Sequence, residues 1–290
     1  MFWTLAILSM IAYTVQGVLM TKYARSIDPM SAGFYRSATL IFTMLPLLYF
    51  TSWEKILTMG SYISTLLLAG LLGALSQWTR FVSIRILPVG IHSALSMGLT
   101  VIFSFLFAFL LFGETATGWQ WLFSAVIVAG AAYLSLNKID MSHLDSQKWS
   151  QGITWVLLTA FFVSCAFILT IKVAREYDPY IAGYFWEAFI ALAALGMLLV
   201  RKAKTGQNIE PIAISTFWKL ALVCSPTIVG TGAFLLANTM GPVGVISAIE
   251  SGGIVVGMIM SWMLYNEKLE SKHLFGMGVV MIGIIGLKLF

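Results

Sequence analysis

Arg36, Glu187 and Glu250 are ionisable residues set inside apolar runs, in the contexts FYRSATLIF, YFWEAF and SAIESGG. A charged group in hydrocarbon costs at least about 2.5–3.5 kcal/mol, so its presence there points to function. Arg36 keeps its charge and offers a planar fork of donors. That fork suits a substrate carboxylate or phosphate, or an acid that closes a gate. Glu250 can exchange a proton, or as an anion hold an amine. Ser251-Gly252-Gly253 beside it lets the backbone bend and lets a helix or ligand come close. His92 has an imidazole that ordinarily titrates near neutrality, which makes it a candidate proton relay alongside Glu250. Arg80 and Arg85 lie near the end of an apolar run and read as interfacial anchors. Arg80 is also the candidate anion attractor at a cavity mouth. Tyr13, Gln16 and Gln77 are uncharged hydrogen-bonding groups suited to a cavity wall, and Trp186 adds an aromatic one, capable of cation–π contact. The expected substrate-binding set is therefore Arg36, Glu187, Glu250, Tyr13, Gln16, Gln77 and Trp186. No catalytic residue, metal ligand or cofactor is assigned. His92, His143 and His273 lie far apart, and HExxH, G-x-S-x-G and GxxxxGK[ST] are all absent.

The elements that must position these residues are membrane spans. The chain has 290 residues, 59% hydrophobic and 10% charged, against about 25% charged in soluble domains. So few charges cannot coat a soluble globule, and so apolar a chain is not disordered. The net charge of +5 comes from bases scattered at segment ends, not from a patch fitted to nucleic acid. Cys165 and Cys224 sit in apolar stretches and read as core residues, not as a disulfide or zinc framework. Ten runs approach the roughly 20 apolar residues that a spanning helix needs. They cover approximately 2–21, 31–50, 61–82, 88–112, 119–137, 152–174, 180–200, 216–237, 241–265 and 273–289. Their continuity argues against a β-barrel. The first run has no A-x-A-like cleavage site and reads as a retained span.

The two halves repeat. KYARSIDPMSAG (22–33) matches KVAREYDPYIAG (172–183). LPVGIHSA (87–94) matches GPVGVISA (241–248). LLFGE ending at Glu114 matches MLYNE ending at Glu267, and Gly130 matches Gly283. The order is the same in both copies, so this is an internal duplication. The expected units are 1–137 and 152–290, joined by a polar link over 138–151. Five spans is an odd number, so the second copy enters the membrane from the opposite side. The expected fold is all-α and integral to the membrane: ten helices as two inverted five-helix repeats around a central cavity. Trp186 occupies the position that repeats Arg36, with Glu187 next to it, so an Arg36–Glu187 pair across the pseudo-dyad is attractive. Twelve Lys and Arg residues fall on one side of such a topology and four on the other. That bias puts the twelve in the cytoplasm and both termini outside.

Lys22, then Asp28-Pro29, then Arg36 resembles the first-repeat signature of EamA-type carriers of the drug/metabolite transporter superfamily. Pro88, Gly113-Glu114, Asn266-Glu267, Gly276 and Gly283 are similar to that family too. The chain departs from it at Thr14-Val15, where Trp-Gly is common, and at Gly98 and Gly252-Gly253, where a proline is common. The resemblance implies a basket of ten helices with the cavity lined chiefly by spans 1–4 and 6–9, and with spans 5 and 10 peripheral. Glu114, Glu267 and the glycines read as scaffold.

These readings predict a secondary active transporter in a bacterial inner membrane, not an enzyme. It would move a small polar metabolite by alternating access, coupled to protons or to exchange. Charges of both signs favour an amino acid or similar zwitterion, and export is the expected direction. The alternatives are a cationic or nucleotide-like metabolite, a membrane-embedded lipid-modifying enzyme, or a passive channel. Expected partners are the small-molecule substrate, protons or a counter-substrate, and membrane lipid. A homodimer is left open, and nucleic acid is not expected.

Overall fold

A computed structural model describes residues 1–87, 89–136, 146–265 and 271–290. Pro88, His143, the Asn266-Glu267 pair and most of the 138–151 link lie outside the described residues, as do the side chains of Lys22 and Arg25. The first half comprises α1 (Phe2–Ser26), α2 (Pro29–Thr43), α3 (Trp53–Thr58), α4 (Ile63–Ile86), α5 (Val89–Phe112) and α6 (Gly118–Leu136). Two short 3-10 turns, Leu45–Phe50 and Met59–Tyr62, flank α3. The second half comprises α7 (Ser146–Glu176), α8 (Pro179–Thr205), α9 (Ile214–Cys224), α10 (Pro226–Met240), α11 (Val243–Ser251), α12 (Gly253–Tyr265) and α13 (Ser271–Leu289). No strand occurs among the described residues.

Eight helical stretches among the described residues are long and apolar enough to cross a membrane, and Gly118–Leu134 is a shorter apolar helix. Leu68, Phe109, Leu110, Leu222 and Ile282 are large, apolar and exposed, as contact with lipid requires. The chain is a multi-pass membrane protein.

Three expected spans are interrupted, each for a local reason. The run at 31–50 is helical only to Thr43 and then tightens into a 3-10 turn containing Pro46. Proline has no backbone N–H and cannot continue the ladder. The run at 216–237 breaks at Ser225-Pro226 for the same reason. The run at 241–265 breaks at Gly252, whose N–H turns back to the Ile249 carbonyl at 2.9 Å. Gly253 follows, and a Cβ there would strike Thr14 of α1. Only glycine lets α12 lie this close to α1.

Within lipid there is little hydrophobic force between helices, so small residues set the close contacts. A Cβ at Gly130 would sit 2.8 Å from Val280, and one at Gly283 2.5 Å from Ile127. This fit joins α6 to α13. α4 packs against α7 and α8, α2 against α8, and α1 against α10 and α12.

The repeated Asp-Pro pairs start α2 and α8. Asp28 caps Ser31 N, Asp178 caps Tyr180 N and Ile181 N, and each following proline occupies the first turn, where no donor is needed. Each aspartate also binds a cation of the other half. Arg201 meets Asp28 Oδ2 at 2.9 Å, and Lys55 meets Asp178 Oδ2 at 3.1 Å. The Asp28 N–H donates to Glu210 Oε2 at 2.6 Å. Burial pushes the Asp28 carboxyl up, but hydrogen bonds from Ser31 and Arg201 outweigh it and hold the group below its usual range.

Candidate functional site

Arg36 and Glu187 meet in the packed seam between α2 and α8. Arg36 Nη1 donates to Glu187 Oε2 at 2.9 Å, and Nη2 donates to Oε1 at 3.1 Å. The pair is bidentate and nearly enclosed, with side-chain exposures of 12% and 2%. Ser37 Oγ donates to Glu187 Oε2 at 3.4 Å, and Gln77 Nε2 of α4 donates to Ser37 Oγ at 3.4 Å. Three helices therefore share one small polar network. Neither charge is available to a ligand while that network holds. Removing one member of such a pair typically costs about 3–5 kcal/mol, because the other charge is left buried alone.

Glu250 presents a different environment. It is the penultimate residue of α11, just before the break at Gly252. Its carboxyl faces Ser9 of α1. Yet Glu250 Oε1 and Ser9 Oγ are both buried with no hydrogen-bond partner among the described residues. No cation pairs with Glu250 there. Tyr13 is within electrostatic reach of Glu250, Glu187 and Arg36, and its hydroxyl shares a 2.9 Å hydrogen bond with Thr231 of α10. Its ring packs on Gly230, where a Cβ would sit 3.0 Å from it.

The remaining expected residues fall into packing or onto the far side of the network. Gln16 is buried, and its Nε2 lies 4.0 Å from Cys224 Sγ. Trp186 is buried, donates from Nε1 to the Ala69 carbonyl at 3.3 Å, and meets Phe167 edge to face. His92 is buried, with Nδ1 2.9 Å from Ser83 Oγ. Arg85 donates to the Ile27 carbonyl at 2.8 Å and so ties α4 to the α1–α2 connection. Arg80 is exposed, yet it lies within electrostatic reach of Arg36 and of His92. A crevice lined by Gly33, Gln77 and Met197 among others has no room for a water-sized sphere and is packing space.

Two features were not legible in the sequence. Glu114 does more than close α5. Its Oε1 meets Arg175 at 2.6 Å and its Oε2 accepts from Val243 N at 2.9 Å. Arg175 also donates to the carbonyls of Asn238 and Gly241, at 2.6 and 2.9 Å, and stacks over Phe112. This knot joins α5, α7, α10 and α11. Ser37 is the second: only its place at the position that repeats as Glu187 hinted at a part in this network.

Comparison with known proteins agrees with this architecture. A crystal structure described only as "Crystal structure of protein" superposes with a TM-score of 0.72, covering 97% of this chain and 96% of its own, at 13% sequence identity. That likeness shows the fold alone. No curated protein matches the chain. The family described as "EamA-like transporter family" matches twice, over residues 2–136 and 150–289. Since these two matches take in nearly every residue of both halves, the chain belongs to the EamA-like transporter family.

Proposed function

We propose that the protein is a secondary active carrier of a small polar metabolite, with an amino acid or similar zwitterion as the leading solute and export as its direction. On this reading the ten runs cross a bacterial inner membrane as two inverted five-helix repeats, units 1–137 and 152–290. One half rocks against the other to give alternating access. The cross-half contacts of Asp28 and Asp178 support the inverted arrangement, since each cap of one copy holds a cation of the other.

The observation that carries the mechanism is Glu250. An unpaired carboxylate inside a membrane bundle is costly unless it can take up a proton. Its helix is broken next to it at Gly252, and an interrupted helix is a recurrent way to build a midplane site. Glu250 then binds a proton when it faces one compartment and releases it to the other. Tyr13 connects that event to the Arg36–Glu187 network.

Purified protein in proteoliposomes tests this with an imposed pH gradient and a panel of radiolabelled amino acids, organic cations and nucleotides. Wild-type protein should accumulate at least one of the panel in response to the gradient. Glu250→Gln should lose gradient-driven accumulation while retaining solute exchange. Accumulation of wild-type size and pH dependence by the variant would remove Glu250 from the coupling step.

A further inference from the structure

Glu250 rides on a helix that is tied at its other end. α11 has nine residues and a chain break on either side, at Gly241-Pro242 and at Gly252. Pro242 stands at its N-cap and has no side-chain oxygen to accept from the first turn. The Val243 N–H donates instead to Glu114 Oε2, 129 residues away. The carbonyls of Asn238 and Gly241, where α10 ends, are both taken by Arg175. Arg175 and Glu114 then bind each other at 2.6 Å. One ion pair thus holds both sides of the α10–α11 connection. α11 belongs to the second half, yet it packs on helices of the first. A Cβ at Gly244 would strike Phe105 of α5, and one at Gly252 would come 3.4 Å from Met10 Sδ of α1. Any shift of one half against the other is therefore felt at α11, and so at Glu250.

The turn that follows Arg175 holds the first half at the same end of the bundle. Tyr177 Oη shares a 2.7 Å hydrogen bond with Thr58 and donates to the Lys55 carbonyl. Asp178 accepts from Thr51 and from Lys55, each at 3.1 Å. Asp28, at the start of α2, is tied to Arg201 and Glu210, whereas Lys55 lies beyond the end of that helix. Cross-half ties therefore close both ends of the bundle. Glu114 and Arg175 are partly open to water, with side-chain exposures of 23% and 22%, against 2% and 12% for Glu187 and Arg36. Water can take the place of a partner in such a pair, so it separates far more readily than the enclosed one.

We propose that the Glu114–Arg175 pair is the latch of this end of the carrier, and that it sets the position of Glu250 through α11. Closed, it holds α11 against α5 with Glu250 beside Ser9. Open, it frees the α10–α11 connection, α11 swings about Gly252, and Glu250 is reached from the end that carries Lys55. Glu114 and Arg175 act through α11 and are positioning residues. This deepens the carrier reading and rests on it. The scaffold role expected of Glu114 becomes a contact that is made and broken in each cycle.

One-sided thiol labelling in sealed membrane vesicles tests the latch. Cys165→Ala and Cys224→Ser remove the native thiols, and Ser9→Cys places one beside Glu250. Glu54→Cys and Gln207→Cys, at exposed positions, mark the two ends in separate proteins. A membrane-impermeant methanethiosulfonate is added to one side at a time. With the latch intact, Ser9→Cys should react slowly from both sides. Glu114→Gln should speed its labelling about tenfold from the Glu54 side alone, because losing a hydrogen bond to a charged group shifts an opening equilibrium by about that factor. Arg175→Lys keeps the charge but loses the fork, and should give a smaller gain from the same side. A fold that is merely loosened would label faster from both sides. Unchanged rates, or equal gains from both sides, overturn the proposal. Glu114→Cys with Val243→Cys gives a second measurement. Joining them with a short, reducible bis-methanethiosulfonate should abolish gradient-driven accumulation, and dithiothreitol should restore it. Accumulation that persists through the crosslink overturns the proposal too. Labelling needs no transport, so one-sided labelling without accumulation by the wild-type protein removes the carrier reading alone. Accumulation without one-sided labelling removes the latch alone.

Discussion

Arg36–Glu187 and Glu250 are acids and bases at comparable depth in the same bundle, yet they are held in opposite ways. Glu187 receives both arms of a guanidinium and a serine hydroxyl. Among the described residues no guanidinium reaches Glu250; Ser9 is its polar neighbour, and its Oε1 is buried without a hydrogen-bond partner. The first arrangement offsets desolvation with fixed contacts and so resists change. The second leaves the charge uncompensated, so its state must vary with what approaches: a proton, a solute or a rearranged helix.

The comparison can be broken most decisively at the pair. Glu187→Gln should destabilise the protein by about 3–5 kcal/mol, since Arg36 would stay buried without its anion. Thermal unfolding in detergent measures this. A second change, Arg36→Leu with Glu187→Leu, should recover most of the loss, because no charge is left to desolvate. Recovery would separate the structural role from any transport defect that persists.

At the hinge beside Glu250, Gly253→Val should cost about 1–3 kcal/mol, the usual range for overpacking. Its side chain would drive into Thr14. The double variant with Thr14→Ala should regain part of that stability in the same unfolding measurement. Glu250→Gln should change stability by only about 1 kcal/mol or less, because no hydrogen-bonded partner is lost. A loss as large as that of Glu187→Gln would mean that Glu250 is scaffold too.

The smallest effect belongs to the Asp28 cap, outside the spans. Its carboxyl is held below the usual range, so its contribution is complete above about pH 4, where the unfolded group is ionised. That contribution is lost as pH falls through the lowered value. Asp28→Asn should therefore flatten the acid limb of a stability-against-pH curve and leave the region near neutrality little steeper or shallower.

Much of this was legible in the residues. The apolar runs, the duplicated motifs and the Asp-Pro helix starts all follow from local physics: hydropathy, capping and the missing donor of proline. The Ser251-Gly252-Gly253 run showed where the backbone could bend, whereas the runs at 216–237 and 241–265 read as continuous and break at Pro226 and Gly252. The Arg36–Glu187 contact was suggested by the near-symmetric positions of the two residues. Other assignments depended on packing that periodicity does not encode. The polar atoms of Trp186 and Gln16, both expected on a cavity wall, find partners within the bundle that no spacing foretold. Arg80, expected as an interfacial anchor or as an anion attractor at a cavity mouth, is exposed and lies within electrostatic reach of Arg36. A sequence places a residue at a depth and on a face but does not say which helix lies opposite.

The sequence by itself determined that lipid is the solvent, that the chain is a duplicated set of helices, and which few charges sit where hydration is scarce. These properties depend on composition and spacing along the chain. Only the tertiary structure decided which of those charges are satisfied. Arg36 and Glu187 are 151 residues apart, and their contact exists because α2 and α8 pack side by side. Electrostatic compensation falls off over a few ångströms in space and is blind to distance along the chain, so pairing and its absence appear only when the helices are assembled.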